Sequence, residues 1–450
     1  MPDLSESKLG TVRALIQAAP DSAIRDLEAA LSAGDDRHEA MRMIHRMVND
    51  EAVDRRARYV VFAPLMALCV ARPEGATTGL YFPTMTAKHL WRGLKAEAPQ
   101  QVRAVVDVFT EPDFEELPIG DFDALCALAA VGLRAKSNTG YAAAADVLER
   151  SQPGGVEAFA ACLDLTAVAR GVLEKLPEWL VRFNEERTVA ARLAFRDAVN
   201  VSEDAAPRLL EILYAHLTEP WLILRLISAV MHRPGDRYVA TSEMASFGER
   251  LMDDIDVRLK RVGALNADGG AAAGAAAAHD VNLAAAAISE FDKSFELSRD
   301  GPWGARLNQQ KRSLAMAVEG RLKAVDREIQ TALPTQSAGF KKRGTRPQPR
   351  LTDDPDPRLV EHARAFLTFM NAVRGSADLL GFGSMWGKTE EAVEARLATY
   401  VEDLLDKLHE HEEEDNPERI RLYLDIAAEF LGLASGDKAA QIVRRRAAAA

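Results

Sequence analysis

Apolar residues recur every three or four positions along almost the whole chain, and the strict alternation of a half-buried strand is nearly absent. In "DSAIRDLEAALSAG", Ile24, Leu27 and Leu31 share one helical face. Asp21 or Ser22 stands where an N-terminal cap is needed, and Gly34 ends the run. Similar helices are predicted near 38–49, 53–71, 98–109, 122–134 and 155–170, with loops at 72–79 and 151–155 where Pro and Gly cluster. Only "GLYFPTMTAKHLW", residues 79–91, reads as irregular or extended chain. The fold class this pattern predicts is all-α.

Between 188 and 232, "TVAARLAFRDAV", "APRLLEILYAHLTE" and "PWLILRLISAVMHRP" follow one another as amphipathic helices, with Pro207 and Pro220 in first turns. This run resembles the stacked helical pairs of HEAT-type solenoids, and the whole of 1–262 is expected to form an irregular helical array. The composition then changes. "GALNADGGAAAGAAAAHD" is Gly/Ala low complexity, so 263–281 is predicted to be a flexible linker. A central helical hairpin is expected over 282–333. Its second helix carries Leu307, Leu314, Val318, Leu322, Val325, Ile329 and Leu333 as one stripe. Such a stripe needs a cover, from the N-terminal array or from a second chain of the same or another kind. The Pro- and Arg-rich segment 334–357 reads as a second, exposed linker, and Asp356-Pro357 opens a C-terminal bundle of four helices over 358–446.

Composition narrows the function. The chain has 450 residues, 48% of them hydrophobic but only 6% aromatic, and a formal net charge of −12. That length allows two to four domains or one extended array, and the acidic balance opposes general affinity for nucleic acid. Cys69, Cys126 and Cys162 are scattered through apolar contexts, which makes buried thiols rather than a disulfide framework or metal knuckle. The polar start "MPDLSESKLG" lacks an export pattern, and the apolar runs at 59–71 and 221–231 are interrupted by Pro64 and Arg225. A soluble, cytoplasmic protein is expected, and its alanine and arginine content suits a bacterial one.

The candidate chemistry is sparse. "GFGSMWGKTEE", 381–391, approaches a phosphate-binding loop, but Phe382 occupies the position of the required first glycine. Thr389 reads instead as a helix cap in a connection that buries Trp386. His409 and His411 are two apart and point to opposite sides of a helix. His38 and His45 share a face but stand two turns apart, too far to chelate one ion. "DDIDV", 253–257, is a near miss to the Asp-rich motif of isoprenoid synthases, and Glu249, Asp253 and Asp256 line one side of its helix as an ordinary solvated face.

The reading that results is a non-enzymatic helical scaffold or adaptor that binds other macromolecules, with no cofactor or metal and with homo-oligomerisation open. Candidate partner-binding residues are Lys341, Lys342, Arg343, Arg346 and Arg350 in the basic segment, and Val325 and Ile329 at the far end of the stripe. Two alternatives stay open. One is a helical enzyme, metal-dependent or diphosphate-using, whose site is assembled from distant residues. The other is an adaptor to RNA or an anionic membrane surface through 341–350.

Overall fold

The structure is a computed structural model that describes residues 6–33, 39–73, 78–110, 117–181, 183–232, 234–336, 347–410 and 416–449. Among them the chain is all-α. Twenty-two α-helices carry the fold, and the only named strands are the two-residue pair Thr335–Gln336 and Gln348–Pro349, which is antiparallel. Packing divides the chain into two compact units, Met1–Met231 and His232–Ala450, rather than at residue 262.

In the first unit the helices pack mostly on neighbours in sequence. Asp21–Ser32 lies on Glu39–Val61, and Glu185–Val201 lies on Ala205–Ala215 and Ile223–Met231. The two helices expected at 38–49 and 53–71 are one, Glu39–Val61, followed by the short Ala63–Met66. Pro64 sits in the first turn of that short helix, where its missing N–H costs nothing. Asp21 is not a cap: it begins its helix and pairs with Arg55 at 2.7 Å. Thr86–Glu97 is helical, which shortens the irregular stretch that begins at 79. This helix crosses Thr139–Ser151 with no room to spare, because a Cβ on Gly140 would stand 2.3 Å from the Gly93 nitrogen. Tyr141 fills the space left by Gly93 and Gly132. The three cysteines are buried, and burial pushes each thiol up to about 12.

Arginine does much of the joining. A helix ends with four carbonyls that have no helical donor, and here guanidinium groups from other helices supply one. Arg55 donates to the carbonyls of Ile16 (3.0 Å) and Ala19 (2.9 Å) at the end of Glu6–Ala18. Arg170 donates to Val60 (3.1 Å) and Val61 (2.8 Å), and Arg192 to Ala229 (3.0 Å). Each contact also meets the negative end of a helix dipole.

The second unit corrects two expectations. Residues 263–281 are no linker: Ala267–Gly269 is a 3-10 turn, and Gly270–Ser294 is a continuous helix. Small residues let it approach Pro357–Ala372 so closely that a Cβ on Gly274 would meet the Ala365 carbonyl oxygen at 2.0 Å. The composition that weakens an isolated helix is here the condition for packing one. Nor does the hairpin expected over 282–333 stand as a segment apart from the C-terminal bundle. Pro302–Ala332 packs on Ala245–Gly263, Pro357–Ala372 and Gly383–Glu410, so the helices on both sides of 334–357 share one core. The described flanks of that segment are tied down. Arg350 N–H donates to the Pro334 carbonyl (2.9 Å), and Arg419 donates to the carbonyls of Leu351 (2.9 Å) and Thr352 (3.0 Å). Ala267–Ser294 is the one helix among the described residues long and apolar enough to cross a membrane, and almost half of that window is buried in the fold.

Candidate functional site

The sequence candidates fare unequally. Val325 and Ile329 are fully buried, as are Leu314 and Val318. The stripe is real, but helices of its own unit cover it, so these two residues belong to the core and not to a partner surface. Lys341, Lys342, Arg343 and Arg346 lie outside the described residues, and Arg350 is exposed beside the strand pair.

The glycine-rich stretch is a helix start. Gly381 takes the left-handed conformation (φ 83°) that ends Ala377–Leu380, and Gly383–Glu410 begins two residues later. Gly387, Lys388 and Thr389 therefore lie within a helix, whose N–H groups beyond the first turn bond inward. Thr389 is not its cap; its hydroxyl donates to the Met385 carbonyl at 2.9 Å. Trp386 is buried, donates to the Met370 carbonyl at 2.8 Å, and carries the Arg374 guanidinium over its ring at 4.8 Å.

The acidic face of Ala245–Gly263 is not simply solvated either. Arg306 reaches Glu249 (2.8 Å), Asp253 (2.6 Å) and Asp256 (2.8 Å), while Trp303 donates to Glu249 (2.9 Å) and Gln310 to Asp256 (2.7 Å). These carboxylates are already engaged by a cation and two neutral donors. His409 is bonded to the Leu405 carbonyl at 2.7 Å, whereas His38 and His411 lie outside the described residues. Among the described residues no three His, Cys, Asp or Glu side chains stand together as a metal would require.

The feature that sequence reasoning missed is a groove in the first unit. It is open to solvent and holds about 580 Å³, a size common for ligand sites. One wall is the helix Thr166–Val181, whose Leu173, Leu176, Pro177 and Leu180 recur on one face. The opposite wall runs from His216 to Leu222, and Ala63 and Pro64 close one side. Arg170 lines it too, but its guanidinium is committed to Asp123 (3.1 Å) and to the carbonyls of Val60 and Val61. His216 bonds the Pro64 carbonyl at 2.9 Å through Nε2, which fixes the ring. Thr218 and Glu219, both exposed, complete the lining, so the groove offers apolar contact with a few polar groups beside it. A signal existed in "GVLEKLPEWLV", where a proline interrupts a leucine face, but the other walls are remote in sequence. Comparison with known protein families, characterised proteins and solved structures gives no match to this chain.

Proposed function

We propose that the protein is a helical scaffold or adaptor that binds another macromolecule, and that the groove beside Pro177 is its binding surface. The observation that supports this reading is the groove's lining: Leu173, Leu176, Leu180, Leu217 and Leu222 form an apolar concavity, the Arg170 guanidinium is already paired with Asp123, and the exposed Glu219 stands at its edge. Apolar pockets with a few oriented polar groups are where partners place their anchor side chains.

The test is a charge on the groove wall. Leu173 is only half-buried, so Leu173→Glu can keep its carboxylate hydrated and spare the core. Tagged wild type and variant would be purified from the native cell and their co-eluting proteins quantified by mass spectrometry. At least one partner is expected to fall tenfold or more with the variant, at a melting temperature within a few degrees of wild type. The same partners at the same level on both proteins would sink the reading.

A further inference from the structure

We infer that the groove takes a basic, aliphatic segment of the partner protein, with its apolar side chains against the leucines and a lysine or arginine set on Glu219. This deepens the reading of the groove as the partner-binding surface and rests on it. The argument begins with charge. Apart from His216, whose ring is held by the Pro64 carbonyl, two ionisable side chains line the groove, Arg170 and Glu219. The Arg170 guanidinium is spent on Asp123 and on the carbonyls of Val60 and Val61. Glu219 is exposed and has no such tie. It stands just ahead of the 3-10 turn Pro220–Leu222, where its side chain makes no capping hydrogen bond. No cation among the described residues pairs with it. The neighbouring Thr218 hydroxyl, exposed as well, can accept a further hydrogen bond.

The groove therefore presents one open carboxylate at the edge of a leucine surface. An anionic segment would face that carboxylate and find no free guanidinium in the lining to hold it. A neutral segment would leave the carboxylate unpaired. A lysine or arginine fits because Glu219 lies in water: the charged head stays hydrated at the edge while its methylene stem covers leucine. The heavy desolvation of a buried ion pair does not arise there.

The apolar wall sets the size of the occupant. Leu173, Pro177 and the 80% exposed Val181 follow one another at four-residue spacing along Thr166–Val181, which spans about 12 Å of helix axis. No single side chain covers that length, so the occupant is a run of residues with more than one aliphatic anchor.

The probe is N-acetyl-Leu-Leu-Lys-amide, set against the same peptide ending in Gln or in Glu, with binding read from leucine methyl resonances of the full chain. Shifts are expected at Leu173, Leu180 and Leu217. Affinity should fall in the order Lys, Gln, Glu by about two- to fivefold at each step, the usual effect of a solvent-exposed ion pair. Glu219→Gln should abolish the preference for Lys over Gln and leave the Gln peptide bound as before. Asp146→Asn removes the same charge at an exposed position outside the lining, and should leave the preference intact. Equal affinity of the Lys and Gln peptides for wild type overturns the inference, as does the absence of shifts at these methyls. So does a preference that survives Glu219→Gln or falls equally in Asp146→Asn, because it would then reflect only the attraction of a chain with net charge −12. Among proteins that co-purify from the native cell, the partner lost with Leu173→Glu should also fall with Glu219→Lys. A partner lost with Leu173→Glu but retained by Glu219→Lys would leave the binding surface standing and remove only the cation.

Discussion

At the residue scale, two side chains give direct tests of the local physics. Tyr141 is fully buried, and its hydroxyl has no partner among the described residues. Burial pushes its phenol well above the ordinary range. The ring is what the site needs, because it fills the gap left by Gly93 and Gly132. Tyr141→Phe keeps the ring and removes an unpaired polar atom, so it should leave stability unchanged or raise it by about 1 kcal/mol in denaturant titration. A clear loss would mean that the hydroxyl has a partner, such as a buried water. Asp268 shows the opposite case. Hydrogen bonds from Arg358 (2.8 Å) and then His362 (2.7 Å) hold its carboxyl down at about 2. A carboxylate depressed by folding adds stability above its unfolded value, and that contribution is lost as pH falls towards 2. Carbon-detected NMR titration should show Asp268 returning towards the ordinary carboxylate range in Arg358→Ala. An unmoved midpoint would show that the arginine contact is absent in solution.

At the scale of elements, close contact decides what composition leaves open. Gly270–Ser294 begins as a Gly/Ala tract that reads as a linker, yet Pro357–Ala372 lies against its small residues. Gly274→Leu forces a side chain into the Ala365 carbonyl, and neither backbone can yield without moving a helix. The expected cost is about 1–3 kcal/mol or more in unfolding free energy, the usual range of overpacking. Near-neutral behaviour would remove the close crossing. A second element depends on a distant cap. Helix Pro302–Ala332 has no side-chain cap at Gly301; instead the buried carboxylate of Asp236 accepts from the Trp303 and Gly304 N–H groups at 3.0 and 3.2 Å. No cap motif within 302–332 could reveal that contact, because its acceptor lies more than sixty residues upstream.

At the scale of the whole molecule, residues 1–231 and 232–450 each enclose a core of their own. Units of this length bury enough surface to fold alone. Expressed separately, both fragments should show helical circular dichroism and a cooperative thermal transition. A fragment 232–450 that stays unfolded by itself would show that its core is incomplete. A cut at 262 instead should fail, since it separates Ala245–Gly263 from Gly270–Ser294 and Pro302–Ala332, against which it packs.

The helical periodicity, the three segments between 188 and 232 and the stripe from Leu314 to Ile329 were all legible, because an amphipathic helix writes its buried face into every third or fourth residue. Asp356 shows the same for a local cap, since its side chain accepts from Arg358 N–H two residues on, at 2.9 Å. What the tertiary structure alone decided involves partners distant in sequence. It made a helix of a Gly/Ala tract and bound the carboxylates of Ala245–Gly263 to Arg306. It set arginines on the carbonyls of remote helix ends, and it joined Pro64, Pro177 and Leu217 around one groove. Periodicity records that a residue is buried. The neighbour that buries it is chosen by shape and by unsatisfied hydrogen bonds, and those exist only once the helices have come together.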